Sequence, residues 1–363
     1  MNHSTSSHII QCIIIANLSH YTLCLHTNNT NSIHGRSFTF INTVIEQANI
    51  LEARAPSYKT DVPIKTKGVL LVDATGLAYR CFYGMPDLKT HMGYEIGCLY
   101  GFLNSLSYIF RTFEPEYVGL AFDSPNASNV KRKLWPKYKI HRKPTPPELI
   151  EQLNYIKDYC EISGLPILYY PETEADDLIA TGISQINTDK HVNIVTSDKD
   201  LFQLLNSDAV TVIQPQKSYR LVDSNVVLKD YGISPDRFAE YLAIVGDASD
   251  GIPGIIGIGP QTAPKLITKH SNFEEILTCE TVERIKAKGG KYAESVEMAW
   301  NFYNLTKLNC NIPIQADLHS FTMNDPLEKQ LNDFYKKYSI RKHAYKWSVL
   351  QKSPQPRKYF PSV

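Results

Sequence analysis

Short apolar runs recur along the middle of the chain, at positions 69–72, 117–122, 192–196 and 210–213, with a fainter one at 219–222. They show no apolar/polar alternation and end in turn-forming residues, which is the pattern of parallel strands buried on both faces. Between them apolar residues fall at helical spacing, predicting one helix over 97–113 and another over EADDLIATGISQI at 174–186. Strands alternating with helices predict an α/β fold, a parallel sheet with helices packed on it. The strand pattern stops near 235. The stretch EYLAIVGDASDGIPGIIGIGPQTAPKLI then gives a hydrophobic run, a glycine-rich turn and a helix opening at Pro260, Gln261 and Thr262. That is a helix–hairpin–helix pattern, and 271–350 reads as further amphipathic helices.

Acids stand where this pattern breaks. Asp73 closes the first run, Asp123 follows the second, and Asp198 and Asp200 follow the third. Glu174, Asp176 and Asp177 open the helix predicted at 174–186, where the helix dipole tolerates negative charge. In an open α/β sheet, strand C-termini and helix N-termini share the edge at which ligands bind. Acids gathered there repel one another unless a cation neutralises them, and carboxylate oxygens suit Mg²⁺ or Mn²⁺. Taken alone, the EADD acids read equally well as a capping cluster. Strand-end acids in register with them are harder to obtain from turn chemistry. Asp247 and Asp250 add a further pair just before the hairpin glycines Gly254, Gly257 and Gly259. Such glycine turns let backbone N–H groups approach a phosphate.

The net charge of +1 hides an uneven distribution. Residues 131–143 hold seven cations and no acid: Lys131, Arg132, Lys133, Lys137, Lys139, Arg142 and Lys143. Trp135 and Tyr138 lie among them. Cations for phosphates and rings for bases suit single-stranded nucleic acid, the alternative being a solvated face. Mutual repulsion predicts that this loop is mobile until a polyanion arrives.

The expected organisation is a leader over 1–66, a catalytic domain over 67–235, a helical domain over 236–350 and a tail over 351–363. The first 45 residues contain no Asp or Glu and a single basic residue, Arg36. This predicts an organellar leader, plastid-like or mitochondrial, against the alternative of a disordered or mis-started N-terminus. Seven scattered cysteines with no CxxC pair argue against a zinc site or a disulfide framework. No apolar run reaches the ~18–20 residues of a membrane span.

From about 67 to 350 the chain resembles the 5′ nuclease family, which includes DNA polymerase I-type 5′–3′ exonuclease domains, phage 5′ exonucleases and, more distantly, flap endonucleases. The strings LLVDATGLAYR, VGLAFDSP, YKIHR, EADDLIA, TSDKDLFQLL and GDASDGIPGIIGIGPQTA carry the resemblance. It implies a PIN-like, resolvase-like parallel-sheet nuclease domain followed by a helical domain with the hairpin motif. It also implies two Mg²⁺ ions, with Mn²⁺ as a substitute. Asp73, Asp123, Glu174, Asp176 and Asp177 would hold the first, and Asp198, Asp200, Asp247 and Asp250 would hold or support the second. The basic stretch falls where the family has its arch, at about 125–148. Arg80, Tyr138, Lys139 and Arg142 match motif positions that grip or polarise the scissile phosphate. Lys131, Arg132, Lys133, Lys137 and Lys143 would bind DNA, as would Gly254, Gly257, Gly259, Gln261 and Thr262 of the hairpin, where a K⁺ ion is also implied.

The implied protein is a monomeric, metal-dependent phosphodiester hydrolase. It would act as a 5′–3′ exonuclease or 5′-flap endonuclease on DNA with a free, in part RNA-primed, 5′ end. The expected setting is primer removal and repair beside a separate DNA polymerase, since no polymerase domain follows. There are departures from the family pattern. Lys131-Arg132-Lys133 replaces an Arg-His-Glu string, and Lys lacks the bidentate fork of Arg. Gly251 replaces an Asn, and Pro264 is expected inside the second hairpin helix, predicting a bend there. A PIN-type ribonuclease, which would lack arch and hairpin, and a non-catalytic nucleic-acid-binding protein are the competing readings.

Overall fold

The computed structural model describes residues 62–85 and 87–340. The expected targeting leader lies outside them except for its last five positions, and the tail lies outside them altogether. Within those five positions Val62 is buried, and the Lys65 carbonyl accepts a 3.1 Å hydrogen bond from Asn193 Nδ2.

Six strands form one sheet: β1 (Val69–Asp73), β2 (Tyr117–Ala121), β3 (Ile167–Leu168), β4 (Val192–Val195), β5 (Val210–Gln214) and β6 (Arg220–Val222). Their order is β3-β2-β1-β4-β5-β6, with only the β5–β6 pair antiparallel. The chain steps outward from β1 to β3, then returns to lay β4 on the other side of β1. The β1/β4 boundary is therefore the switch point, and its C-terminal edge opens a crevice.

The unbroken apolar runs are explained by two cores. Leu70 and Val72 of β1 join Leu120, Val195 and Ile213 in one core. It is covered by α1 (Ala74–Gly84), α2 (Gly97–Phe113) and α4 (Pro147–Ile162). Val69 and Leu71 join Ile194 and Val212 in the other, beneath α5 (Ala175–Gln185) and the helices after the sheet. Successive residues of a strand face opposite ways, so both sets must be apolar. The short α3 (Asn129–Leu134) contributes no buried residue.

After α6 (Ser224–Tyr231) comes the helical layer. It comprises α7 (Phe238–Val245), α8 (Ala263–Lys269), α9 (Phe273–Leu277), α10 (Glu280–Lys286), α11 (Gly290–Glu297) and α12 (Ala299–Thr306). The glycine turn joins α7 to α8, as the hairpin pattern requires. A Cβ at Gly254 would lie 2.5 Å from the Ile244 carbonyl oxygen, at a φ of +69°, so only glycine fits that close approach. The bend expected at Pro264 loses its cause. Helix α8 starts at Ala263, so Pro264 lies in the first turn, where the missing N–H would have no intrahelical partner.

The expectation of amphipathic helices across 271–350 holds through α12 and again at Glu328–Lys337, while 341–350 lie outside the described residues. Residues 307–327 leave the helical layer and return to the sheet. Phe321, fully buried, lies over Gly119 of β2, where a Cβ would come within 2.7 Å of its ring. Asn324 N donates to Gly164 O and Leu327 N to Ile162 O, both at 2.8 Å. Helix α13 (Glu328–Lys337) then packs on α4 through Phe334 against Tyr159, with ring centroids 5.7 Å apart. The last described element thus completes the catalytic layer.

Candidate active site

Each acid at the crevice is set by an element end. Asp73 closes β1 and caps α1, its carboxylate accepting from Gly76 N at 2.7 Å and from Thr196 Oγ1 at 3.1 Å. Asp123 follows β2 and accepts from Ala175 N at 2.7 Å, tying the start of α5 to the sheet edge. Glu174 is the residue before α5, and Asp176 and Asp177 lie in its first turn. Asp198 accepts from Asp200 N at 2.9 Å, which holds Asp200 at the start of a 3₁₀ turn.

These side chains converge into two sets. Oxygens of Glu174, Asp176 and Asp177 lie within 4.8 Å of one another, as do oxygens of Asp176, Asp198 and Asp200. Asp176 belongs to both, whereas the expected division gave it to the first ion alone. Asp250 lies beside them, and its charge acts on Asp198 and Asp200. Asp247 lies further off, and its carboxylate is already satisfied: Ser249 donates to it through N at 2.8 Å and Oγ at 2.6 Å, and Lys199 Nζ is 3.4 Å away.

Crowding shows in the acidities. Burial, and then the charge of Asp123, push Asp73 up to about 7. Burial likewise lifts Asp123 to about 6, and burial with Asp176 lifts Asp177 to about 7. Asp200 is held well above the carboxylate range by burial and by Asp198. Its Oδ1 is buried with no hydrogen-bond partner. Negative charge in excess, all-oxygen donors and an orphaned carboxylate oxygen fit a divalent cation.

The basic stretch crosses the crevice, but it is not the free loop that repulsion predicts. Lys131 Nζ lies 2.6 Å from Glu174 and 3.8 Å from both Asp176 and Asp177. Lys139 Nζ lies 2.6 Å from Glu174 and 3.7 Å from Asp250. Burial alone would raise Glu174, yet these two lysines hold it down at about 2. Tyr138 is fully buried and donates to Glu174 at 3.0 Å, so it orients a carboxylate and presents nothing to solvent. Trp135, expected as a stacking ring, serves as a tether: its Nε1 donates to Gly251 O at 2.9 Å, and the ring meets Phe302 edge-on at 5.4 Å. Gly251 sits at φ +70°, and a Cβ there would lie 2.7 Å from the Lys137 carbonyl oxygen, so the basic stretch as it lies needs a glycine where the family string has Asn.

Arg142 is half exposed at the rim, 2.8 Å from Asp250. Arg132, Lys133, Lys137 and Lys143 face solvent. Lys131, expected among them, turns inward because the acid set offers it more than water does. Arg80 lies two turns along α1 from Asp73, about 10 Å by helical rise. Among the described residues no ion pair joins it to the acids, and its charge acts instead on Cys81 and Tyr219.

The model of the 5′–3′ exonuclease N-terminal resolvase-like domain matches residues 68–232, and that of the 5′–3′ exonuclease C-terminal SAM fold matches 233–329. A 5′–3′ exonuclease of Aquifex aeolicus is 33% identical over 262 residues, which is 72% of this chain and 88% of that protein. The chain belongs to the 5′–3′ exonuclease family. The thermostable DNA polymerase I of Thermus aquaticus is 32% identical over 288 residues, 78% of this chain but 33% of that longer protein. Among solved structures, the bacteriophage T5 D15 flap endonuclease, in a pseudo-enzyme–product complex with DNA and metal ions, matches with a TM-score of 0.53. At 18% identity, over 75% of this chain and 99% of that one, it shows the shared fold.

Several supports of this exonuclease's site escape sequence reasoning. Asn309 N donates to Asp177 at 2.8 Å from the returning segment, and nothing in its neighbourhood marks it. Thr75 Oγ1 accepts from Asp123 N at 2.8 Å, and Lys199 pairs with Asp247. Thr75 and Lys199 stand beside acids in the strings VDAT and SDKD, and that adjacency is the signal that could have found them.

Proposed function

We propose that this exonuclease hydrolyses phosphodiester bonds at free 5′ ends and 5′ flaps of DNA, RNA-primed ends included, with two divalent ions, Mg²⁺ or Mn²⁺. The observation that carries the reading is the pair of carboxylate sets sharing Asp176, with the orphaned Oδ1 of Asp200 inside the second. Glu174, Asp176 and Asp177 would hold one ion and Asp176, Asp198 and Asp200 the other. Asp73, Asp123 and Asp250 would add charge around them. Two such ions would supply charge neutralisation for an in-line displacement at phosphorus.

The chain's own residues do the rest. Arg142 stands half exposed at the rim with Lys139 buried behind it on Glu174, so a phosphate entering the crevice would meet the arginine first and the lysine next to the acids. Tyr138 positions Glu174. The outward Arg132, Lys133, Lys137 and Lys143 meet backbone phosphates without reading bases. The glycine turn between α7 and α8 presents backbone N–H groups to a duplex strand. The T5 D15 complex with DNA and metal ions supports this substrate, and the DNA polymerase I relatives support a setting in DNA synthesis.

The test is a panel of end-labelled substrates in Mg²⁺: 5′-flap, nicked, blunt and RNA-primed DNA, and unstructured RNA. The expected result is cleavage that requires a free 5′ end and favours the flap. RNA degraded without regard to its 5′ end would favour the PIN-type ribonuclease reading instead.

A further inference from the structure

A second basic turn stands beside the hairpin. From the last residue of α10 to the second of α11 the chain reads Lys286-Ala287-Lys288-Gly289-Gly290-Lys291, and all three lysines are exposed. Among the described residues no carboxylate lies within ion-pair distance of them. Lys288 and Lys291 instead share one ring, with their ammonium groups 5.1 and 5.6 Å from the Tyr292 centroid. Two like charges over one ring repel each other, and an anion between them would relieve that repulsion. Gly289 and Gly290 have φ values of +69° and +51°, and a Cβ at either would meet nothing within 4 Å. The backbone there is open to close approach.

The turn is fastened to the hairpin. Ile256 N, inside the glycine string, donates to Ser295 Oγ at 3.1 Å, and Ser295 Oγ donates to Tyr292 O at 2.8 Å. On the other side, Ile285 Cδ1 lies 3.7 Å from where a Gly257 Cβ would be. The hairpin turn and the lysine-bearing turn are therefore held as one surface.

We propose that Lys286, Lys288 and Lys291 form a second phosphate-binding surface that extends the hairpin's grip along the backbone of a nucleic-acid duplex. This rests on the nuclease reading above and adds a site to it. It predicts that duplex length matters: a flap substrate with a short duplex arm reaches only the hairpin, and a longer arm reaches both turns.

The experiment uses the full chain with all three lysines changed to Gln, and a second variant with all three changed to Arg. Binding of 5′-flap DNA with arms of 8 or 20 base pairs is measured in Ca²⁺ across NaCl concentrations, beside single-turnover cleavage in Mg²⁺. Each lost phosphate contact flattens the log–log salt dependence by about 0.9. The Gln variant should lose two to three such units, roughly, on the long arm only. It should cleave the short-arm substrate at the wild-type rate, and the Arg variant should bind as wild type. Equal slopes and affinities for wild type and the Gln variant on the long arm would overturn the proposal. Wild-type protein that cleaves neither substrate would overturn the nuclease reading instead, so the two failures are distinct.

Discussion

At the residue scale, Glu174 decides how the acid cluster is balanced. Two lysine ammonium groups at 2.6 Å neutralise it, and Lys131 also approaches Asp176 and Asp177. A divalent ion in that set must displace Lys131. Lys131→Met should lower the stability of the ion-free protein by about 1–3 kcal/mol, because a buried carboxylate loses its partner. The stabilisation gained from Ca²⁺ should rise correspondingly, which urea midpoints in EDTA and in Ca²⁺ would measure. Equal Ca²⁺ increments in both proteins would show that lysine and ion do not compete.

Protons act on the same cluster. Asp73 and Asp177 are raised from an ordinary 3.8 to about 7, and Asp123 to about 6, by burial first and neighbouring acids next. A raised acid favours folding while protonated, so its contribution is full below about pH 4 and is lost as pH rises through 6 to 7. Glu174 is lowered, so its contribution is present above 4.5, disappears only as pH falls towards 2, and stays constant over that window. In EDTA the urea midpoint should therefore fall between pH 4.5 and 7.5, and less steeply in Asp73→Asn. An unchanged slope in that variant would place the titration elsewhere. The acids themselves were legible because each sits where an apolar run ends or a helix opens. The inward turn of Lys131 was not, since charge density along a chain says nothing of which cation reaches a partner.

At the element scale, strands and principal helices follow from local pattern. The run at 97–113 became α2, and EADD became the opening of α5. The path from 307 to 327 did not follow, because it has no period to read. Its course is fixed by Phe321 in the hollow that Gly119 leaves on β2, and by backbone bonds from Asn309, Asn324 and Leu327. Phe321→Ala should destabilise the protein by roughly 3–5 kcal/mol, seen as a lower urea midpoint with an unchanged m-value. A loss under 1 kcal/mol, roughly the scale of a surface change, would mean that the returning segment is not needed to complete the core. The hairpin shows the opposite case at Gly254, where close backbone approach at a positive φ admits no other residue.

At the scale of the whole molecule, the proposed function assigns three tasks to three places: holding ions to the switch point, receiving a phosphate to the basic crossing and gripping a duplex to the hairpin. The sequence revealed these tasks through motif strings far apart in the chain. Their junctions, Trp135 on Gly251 and Arg142 on Asp250, emerge only in three dimensions. The central claim is that the shared carboxylate sets do the chemistry with divalent ions. Single-turnover cleavage of a 5′-flap DNA by wild type, Asp176→Asn and Asp198→Asn, in Mg²⁺ and in EDTA, beside binding in Ca²⁺, tests it most directly. Wild type should cleave only in Mg²⁺, and both variants should be slower by roughly 100-fold or more while binding as well as wild type. Cleavage that persists in EDTA, or variants that cleave at nearly the wild-type rate, would contradict the account.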